Sequence, residues 1–205
     1  MSVDLFTRHF LGSFFLLIGI LFTARSLGLS DRLGFSHINY NRRGSAGWWN
    51  RQLFNAFRAF ILAVCLARMV WPIDPWLGVI EWLYIPPVLL LGVTLLLVSF
   101  GGASYLQAYM HADWRSGIDQ TRRPSLITTG PFAHSRNPLF LAVMTGQAGF
   151  FLALPSVFSL ICLVAGVTVL CRQARLEEAS LAERLGVAYL TYQRRVPRWF
   201  GRVSR

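Results

Sequence analysis

No lysine occurs anywhere in this chain, and acidic side chains are scarce, with nine Asp and Glu among 205 residues. Charged residues of both signs make up only 14%. A soluble domain carries about a quarter, enough to clothe an apolar core. Hydrophobic residues instead reach 54%, with a mean hydropathy of +0.47. That balance excludes an ordinary soluble domain and points to an integral membrane protein. Cysteine is also sparse. Cys65, Cys162 and Cys171 all lie in apolar runs without metal-ligand spacing, which speaks against a disulfide framework and for small buried hydrophobes. No clear small-residue cleavage site follows the first apolar stretch, so it is kept as a span rather than a removed signal. No internal repeat is evident.

With lysine absent, all twenty basic residues are arginine, and the net charge is +11. Such an excess usually suggests nucleic acid. Here the arginines sit between apolar runs, where they orient spans and meet anionic headgroups, so no nucleic-acid partner is expected.

Five apolar segments are long enough, or nearly so, to cross a bilayer. The first covers about residues 10–29 and the second about 54–71, with Arg58 and Arg68 placed near its ends to snorkel. The third starts at Pro86-Pro87 and runs to about Tyr105; proline suits a helix's first turn. The fourth starts at Pro138 and the fifth at Pro155, with Leu154-Pro155-Ser156 as a tight turn between them. Ala142, Thr145, Gly146 and Gly149 supply small-residue spacings for close packing in lipid. Trp71, Trp76, Trp82 and Tyr84 crowd the second connection, as aromatics do at a membrane interface.

Arginine counts set the expected orientation. Segments 30–57 and 106–137 and the C-terminal tail are arginine-rich, while connections 72–85 and 154–156 have none. The positive-inside rule then places both rich loops and the tail in the cytoplasm. The expected fold is an all-α polytopic membrane helix bundle of about five transmembrane helices with a cytoplasmic C-terminal helical cap. Residues 1–100 form an N-terminal transmembrane region and 101–205 a cofactor-binding region.

The chemistry gathers at one end of the last two spans. "LITTGPFAHSRNPLFLA" leads into span four, and "RLEEASLAERLG" continues span five, with Gly186 as its stop. Asn137 and Glu177 stand forty residues apart in sequence, yet the hairpin makes them neighbours. Taken singly, each feature has a plain reading. Arg136 is an orientation charge, Asn137 a helix N-cap, and Glu177 and Glu178 a solvated face pairing with Arg172 and Arg175. His111 and His134 are loop residues with no second ligand at a useful spacing, and no metal site is expected.

In combination, "LITTGPFAHSRNPLFLA", a short hairpin and "RLEEASLAERLGVAYLTYQRRVPRW" resemble the C-terminal half of the integral-membrane methyltransferases. That family includes isoprenylcysteine carboxyl methyltransferase and phospholipid N-methyltransferases. "WRSGID" at 114–119 is similar to an upstream segment of bacterial members. The resemblance covers roughly residues 101–200. It implies S-adenosylmethionine bound at the cytoplasmic ends of the last helices, in a protein of the bacterial inner membrane. Carried over, Ser125, Leu126 and Ile127 would line the cofactor, with Phe132 where the family usually has tyrosine. Asn137, Pro138, Leu139 and Phe140 would form the His/Asn-Pro element. Glu177 and Glu178 would bind the cofactor's methionine end. Gln173 stands where the carboxyl methyltransferases have an arginine, which departs from a prenylcysteine substrate. No Gly-x-Gly-x-x-Gly follows a strand, so a Rossmann-type methyltransferase is excluded.

The implied reaction is methyl transfer to a hydrophobic or amphiphilic acceptor arriving through the bilayer. Arg136, His134 and Glu178 are the candidate catalytic residues, with His111 a further candidate base. Two alternatives are an NADPH-dependent membrane reductase and a non-enzymatic membrane assembly protein on the same scaffold.

Overall fold

The computed structural model describes residues 2–33, 44–110 and 126–201. Within them the chain forms six α-helices: α1 (Val3–Leu33), α2 (Ala46–Val70), α3 (Pro86–Met110), α4 (Pro138–Ala153), α5 (Val157–Leu185) and α6 (Val187–Arg195). The described residues form no sheet; only an isolated bridge joins Val79 to Ser156. Four helices (α1, α2, α3 and α5) contain stretches long and apolar enough to cross a membrane. Helix α4 has 16 residues, about 24 Å at 1.5 Å per residue, short of a roughly 30 Å hydrocarbon core.

Local chemistry explains the boundaries. Ser45 accepts a hydrogen bond from the Trp48 amide at 3.2 Å and starts α2 eight residues before the expected apolar run. Prolines open α3 and α4 as anticipated. The fifth helix begins at Val157 rather than Pro155, because Ser156 and Ser159 form a capping box. Gly186, at φ +54°, ends α5, a backbone state that a side chain disfavours. One helix thus runs from the apolar stretch 157–171 into the charged end 172–185.

Lipid offers little hydrophobic reward for helix association, so close van der Waals packing must hold the bundle. Helices α3 and α4 show it best. A Cβ on Gly92 would lie 2.2 Å from the Ala153 nitrogen, and one on Gly149 would lie 2.9 Å from the Gly92 carbonyl oxygen. The Ser99 hydroxyl donates to the Ala142 carbonyl at 2.7 Å across the same seam. Leu11, Phe14, Cys65, Leu96, Phe150 and Cys162 build the buried core between the helices.

At one end of the bundle, α1 and α2 meet the 71–85 connection and the α4–α5 turn. Two backbone bonds join the last two: Ile80 N to Pro155 O and Val157 N to Gly78 O, both 2.9 Å. Here Arg68 departs from the snorkelling expectation. It is 1% exposed and pairs with Asp74, at 2.5 Å from Nε and 3.1 Å from Nη2. Arg8 reaches the same carboxylate at 2.6 Å, and Tyr84 donates to Asp4. Asp74 lies close enough in this fold to offer the arginine a partner within the protein. Arg58 stands at the midpoint of α2, not near an end, because the helix begins at Ala46.

Candidate functional site

The opposite end of the bundle gathers the start of α4, the charged end of α5, α6 and the tail. Gly130 opens a short 3-10 turn, Gly130–Ala133, at φ +58°. A side chain there would also strike Tyr109, whose hydroxyl lies 2.6 Å from an ideal Cβ. Tyr109 shares a 2.9 Å hydrogen bond with Thr129 and stacks on Phe132. From the other side, the Tyr192 hydroxyl donates to the Phe132 carbonyl at 2.7 Å. The loop is thereby fastened between α3 and α6.

Glu178 is the hub. It is 5% exposed. Arg136 grips it through Nη2 at 3.0 Å and Nε at 3.4 Å. Arg198 grips it through Nε at 3.0 Å and Nη2 at 2.9 Å. The Asn137 side-chain amide adds a 2.8 Å bond. Two guanidinium forks on one carboxylate are a strong, geometry-specific arrangement. Arg136 directs its remaining Nη1 to the carbonyls of Gln193 and Val196, at 3.1 and 2.7 Å. Its backbone N–H donates to the Pro197 carbonyl at 2.9 Å. Ser135 donates to the Arg198 carbonyl at 3.1 Å and accepts from the Asn137 N–H at 3.1 Å.

The hub lies past the apolar part of α5, outside the membrane-spanning stretch. Burial alone would raise the Glu178 carboxyl's pKa, but bonds from Arg198, Arg136 and Asn137 outweigh it and hold the group below its ordinary range. Glu177 differs. Among the described residues its hydrogen-bond partner is neutral: the Gln173 amide donates at 2.9 Å. Burial pushes its carboxyl upward, and the Gln173 bond offsets this only in part. It is a half-buried carboxylate that makes no ion pair among the described residues, a setting that favours a positively charged ligand group.

The expected residues can now be placed. Asn137 occupies the N-cap position of α4, but its side chain does not cap; it turns to Glu178 instead. Arg136 and Arg198 hold the carboxylate there, and it offers the amide a charged acceptor. Glu178 finds its partners in the loop and tail rather than in Arg172 or Arg175. Leu126 packs on the buried cluster of Tyr189, Tyr192 and Val196. Pro138 is buried, Ile127, Leu139 and Phe140 are half-buried, and His134 is exposed. Ser125, His111 and the 114–119 segment lie outside the described residues, as do Arg115, Arg122 and Arg123. Among the described residues, no group of three His, Cys, Asp or Glu could hold a metal ion.

Sequence reasoning missed Arg198 and Ser135 as members of this cluster. Arg198 belongs to the arginine-rich tail, where the sequence points only to orientation and a C-terminal cap. Its one available signal was the run of tail arginines facing the lone glutamate pair. No family model, no curated protein and no solved structure matches the chain.

Proposed function

We propose that this protein is an integral-membrane S-adenosylmethionine-dependent methyltransferase acting on a hydrophobic or amphiphilic acceptor. The observation that carries this reading is Glu177: a half-buried carboxylate bonded to the neutral Gln173 amide, on the helix end over which the 126–140 loop is fastened. Such a carboxylate fits the ammonium of the cofactor's methionine part. Leu126, Ile127 and Phe132 in the loop and Phe140 in the first turn of α4 supply apolar and aromatic surface on the same end of the bundle. The motif resemblance over residues 101–200 supports the same assignment.

In this reading Glu178 and Arg136 are positioning residues. Their polar atoms are engaged by each other, by Arg198 and by tail carbonyls. They hold the 126–140 loop and the tail against α5, an arrangement that would shield a bound cofactor from water. Exclusion of water suits a reaction in which positive charge disperses toward the transition state. When bound, S-adenosylmethionine supplies a sulfonium-linked methyl group for in-line displacement. The chain's contribution is alignment of the acceptor and a dry enclosure. His134, exposed at the loop, is the candidate base for an acceptor that must lose a proton. The site and C-terminus face the cytoplasm in this reading, following the arginine distribution. A reductase pocket for a 2′-phosphate would need arginines to offer, whereas Arg136 and Arg198 are both committed to Glu178.

Calorimetry on the purified protein in detergent tests the assignment. S-adenosylmethionine is expected to bind and NADPH not. Glu177→Gln should lose about 1.5–3 kcal/mol of binding, the worth of a charge-assisted hydrogen bond. Glu183→Gln, altering an exposed residue on the same helix, should bind as the wild type. Binding of NADPH alone, or equal affinities for both variants, would overturn the reading.

A further inference from the structure

The outward face of α6 takes no part in the Glu178 hub. Tyr189 and Tyr192, with Val196 after them, form the inner face, packed on Leu126, Leu181 and Leu185. Val187, Leu190, Thr191, Arg194 and Arg195 follow the spacing of a single helical face, and all five are exposed. Phe200, in the tail beyond the helix, is 76% exposed. This face therefore sets two cations among bare apolar side chains. Among the described residues neither Arg194 nor Arg195 forms an ion pair, in contrast to Arg198, which holds Glu178. The same segment is tied to the mouth of α4. The Arg136 N–H donates to the Pro197 carbonyl at 2.9 Å, and the Ser135 hydroxyl to the Arg198 carbonyl at 3.1 Å. Ser135 and Arg136 lie just before Pro138, the first residue of that apolar helix. The arginine pair thus stands where apolar helix gives way to charge, the depth of lipid headgroups.

We propose that α6 docks on an anionic lipid surface, with Arg194 and Arg195 on headgroup phosphates and Leu190 and Phe200 at the acyl boundary. Cations set among exposed apolar groups match a surface that offers phosphate beside hydrocarbon, as an anionic bilayer does. A guanidinium suits phosphate through its paired N–H donors. The docking bears on the hub, because the arginine pair lies between two carbonyls that hold Arg136: Gln193 before it and Val196 after it. Seating the pair on headgroups fixes those carbonyls, and with them the tail that carries Arg198. The inference rests on the α6 face and does not depend on methyl transfer.

The test is hydrogen–deuterium exchange on the full-length protein, in nanodiscs of phosphatidylcholine alone and of phosphatidylcholine with about one third phosphatidylglycerol. Amides of residues 187–201 should exchange about fivefold to thirtyfold more slowly in the anionic discs, the worth of one or two arginines at a charged surface. Amides of residues 146–166, in the middle of the bundle, should not differ. Raising salt from about 0.1 M to 1 M should erase the difference, since the Debye length falls from roughly 10 to 3 Å. The double variant Arg194→Gln, Arg195→Gln should exchange alike in both discs. Should that variant fail to fold, the salt response of the wild type still decides. Equal exchange of the wild type in the two discs overturns the proposal, as does a difference that high salt leaves intact or that the folded double variant keeps. Protection by polyglutamate in neutral discs, with none from phosphatidylglycerol, would replace the membrane with a soluble acidic partner.

Discussion

Glu178 shows how much one side chain can organise. It joins three separate stretches of chain: Arg136 and Asn137 before α4, its own helix, and Arg198 in the tail. Removing one partner of a buried ion pair leaves a charge without compensation, at a cost of about 3–5 kcal/mol. Glu178→Gln is therefore expected to destabilise the protein by about that amount, seen as a lower midpoint in denaturant unfolding in detergent. The pH dependence follows from the direction of the shift. The folded carboxyl titrates below its ordinary value of 4.5, so the unfolded chain takes up this proton first. The stabilisation is full above the unfolded value and disappears as pH falls through the folded one. Glu177, shifted the other way, contributes the opposite slope and is present in both proteins. The stability gap between wild type and Glu178→Gln should thus narrow on acidification below about pH 4.5. A gap that stays constant to pH 3 would refute the hub's ionic character.

At the scale of elements, the α3–α4 seam rests on missing side chains. Gly92 and Gly149 let the two backbones approach, and the neighbouring atoms are main chain, which cannot rotate away. Gly92→Ala should cost about 1–3 kcal/mol through overpacking. Gly101, on the same helix, has nothing within 4 Å of an added Cβ. Gly101→Ala should be neutral, or stabilising by up to about 1 kcal/mol from helix propensity alone. Thermal unfolding of both variants in one detergent checks the contrast. The small-residue spacing in span four had announced a close helix contact. Which helix it would meet was not legible, since Gly92 carries no side chain and no pattern of its own.

For the whole molecule, the two ends differ in chemistry. The 71–85 connection exposes Trp76 and Trp82 to 90% and 76%, while the opposite end carries the Glu178 hub and the exposed Arg194 and Arg195. The orientation expected from arginine placement can be tested after replacing the three native cysteines. In intact cells, Trp76→Cys should react with a membrane-impermeant maleimide, and Arg194→Cys should react only after permeabilisation. The reverse pattern would invert the topology and place the proposed site outside the cytoplasm.

Composition and punctuation by themselves determined a good deal. The scarcity of charge announced membrane helices, and Pro86, Pro138 and Gly186 marked boundaries that the helices obey. These signals are local: a proline lacks a donor and a glycine lacks a Cβ, wherever the chain later goes. The tertiary structure alone decided the partners. It buried Arg68 against Asp74, turned Asn137 away from its helix, and brought Arg198 across twenty residues to Glu178. It also left Gln147 Oε1 without a partner beside Gly166. The reason is physical: in a low-dielectric interior a charge or an amide is governed by whatever polar group the fold brings within about 3 Å, and no spacing along the chain encodes that distance.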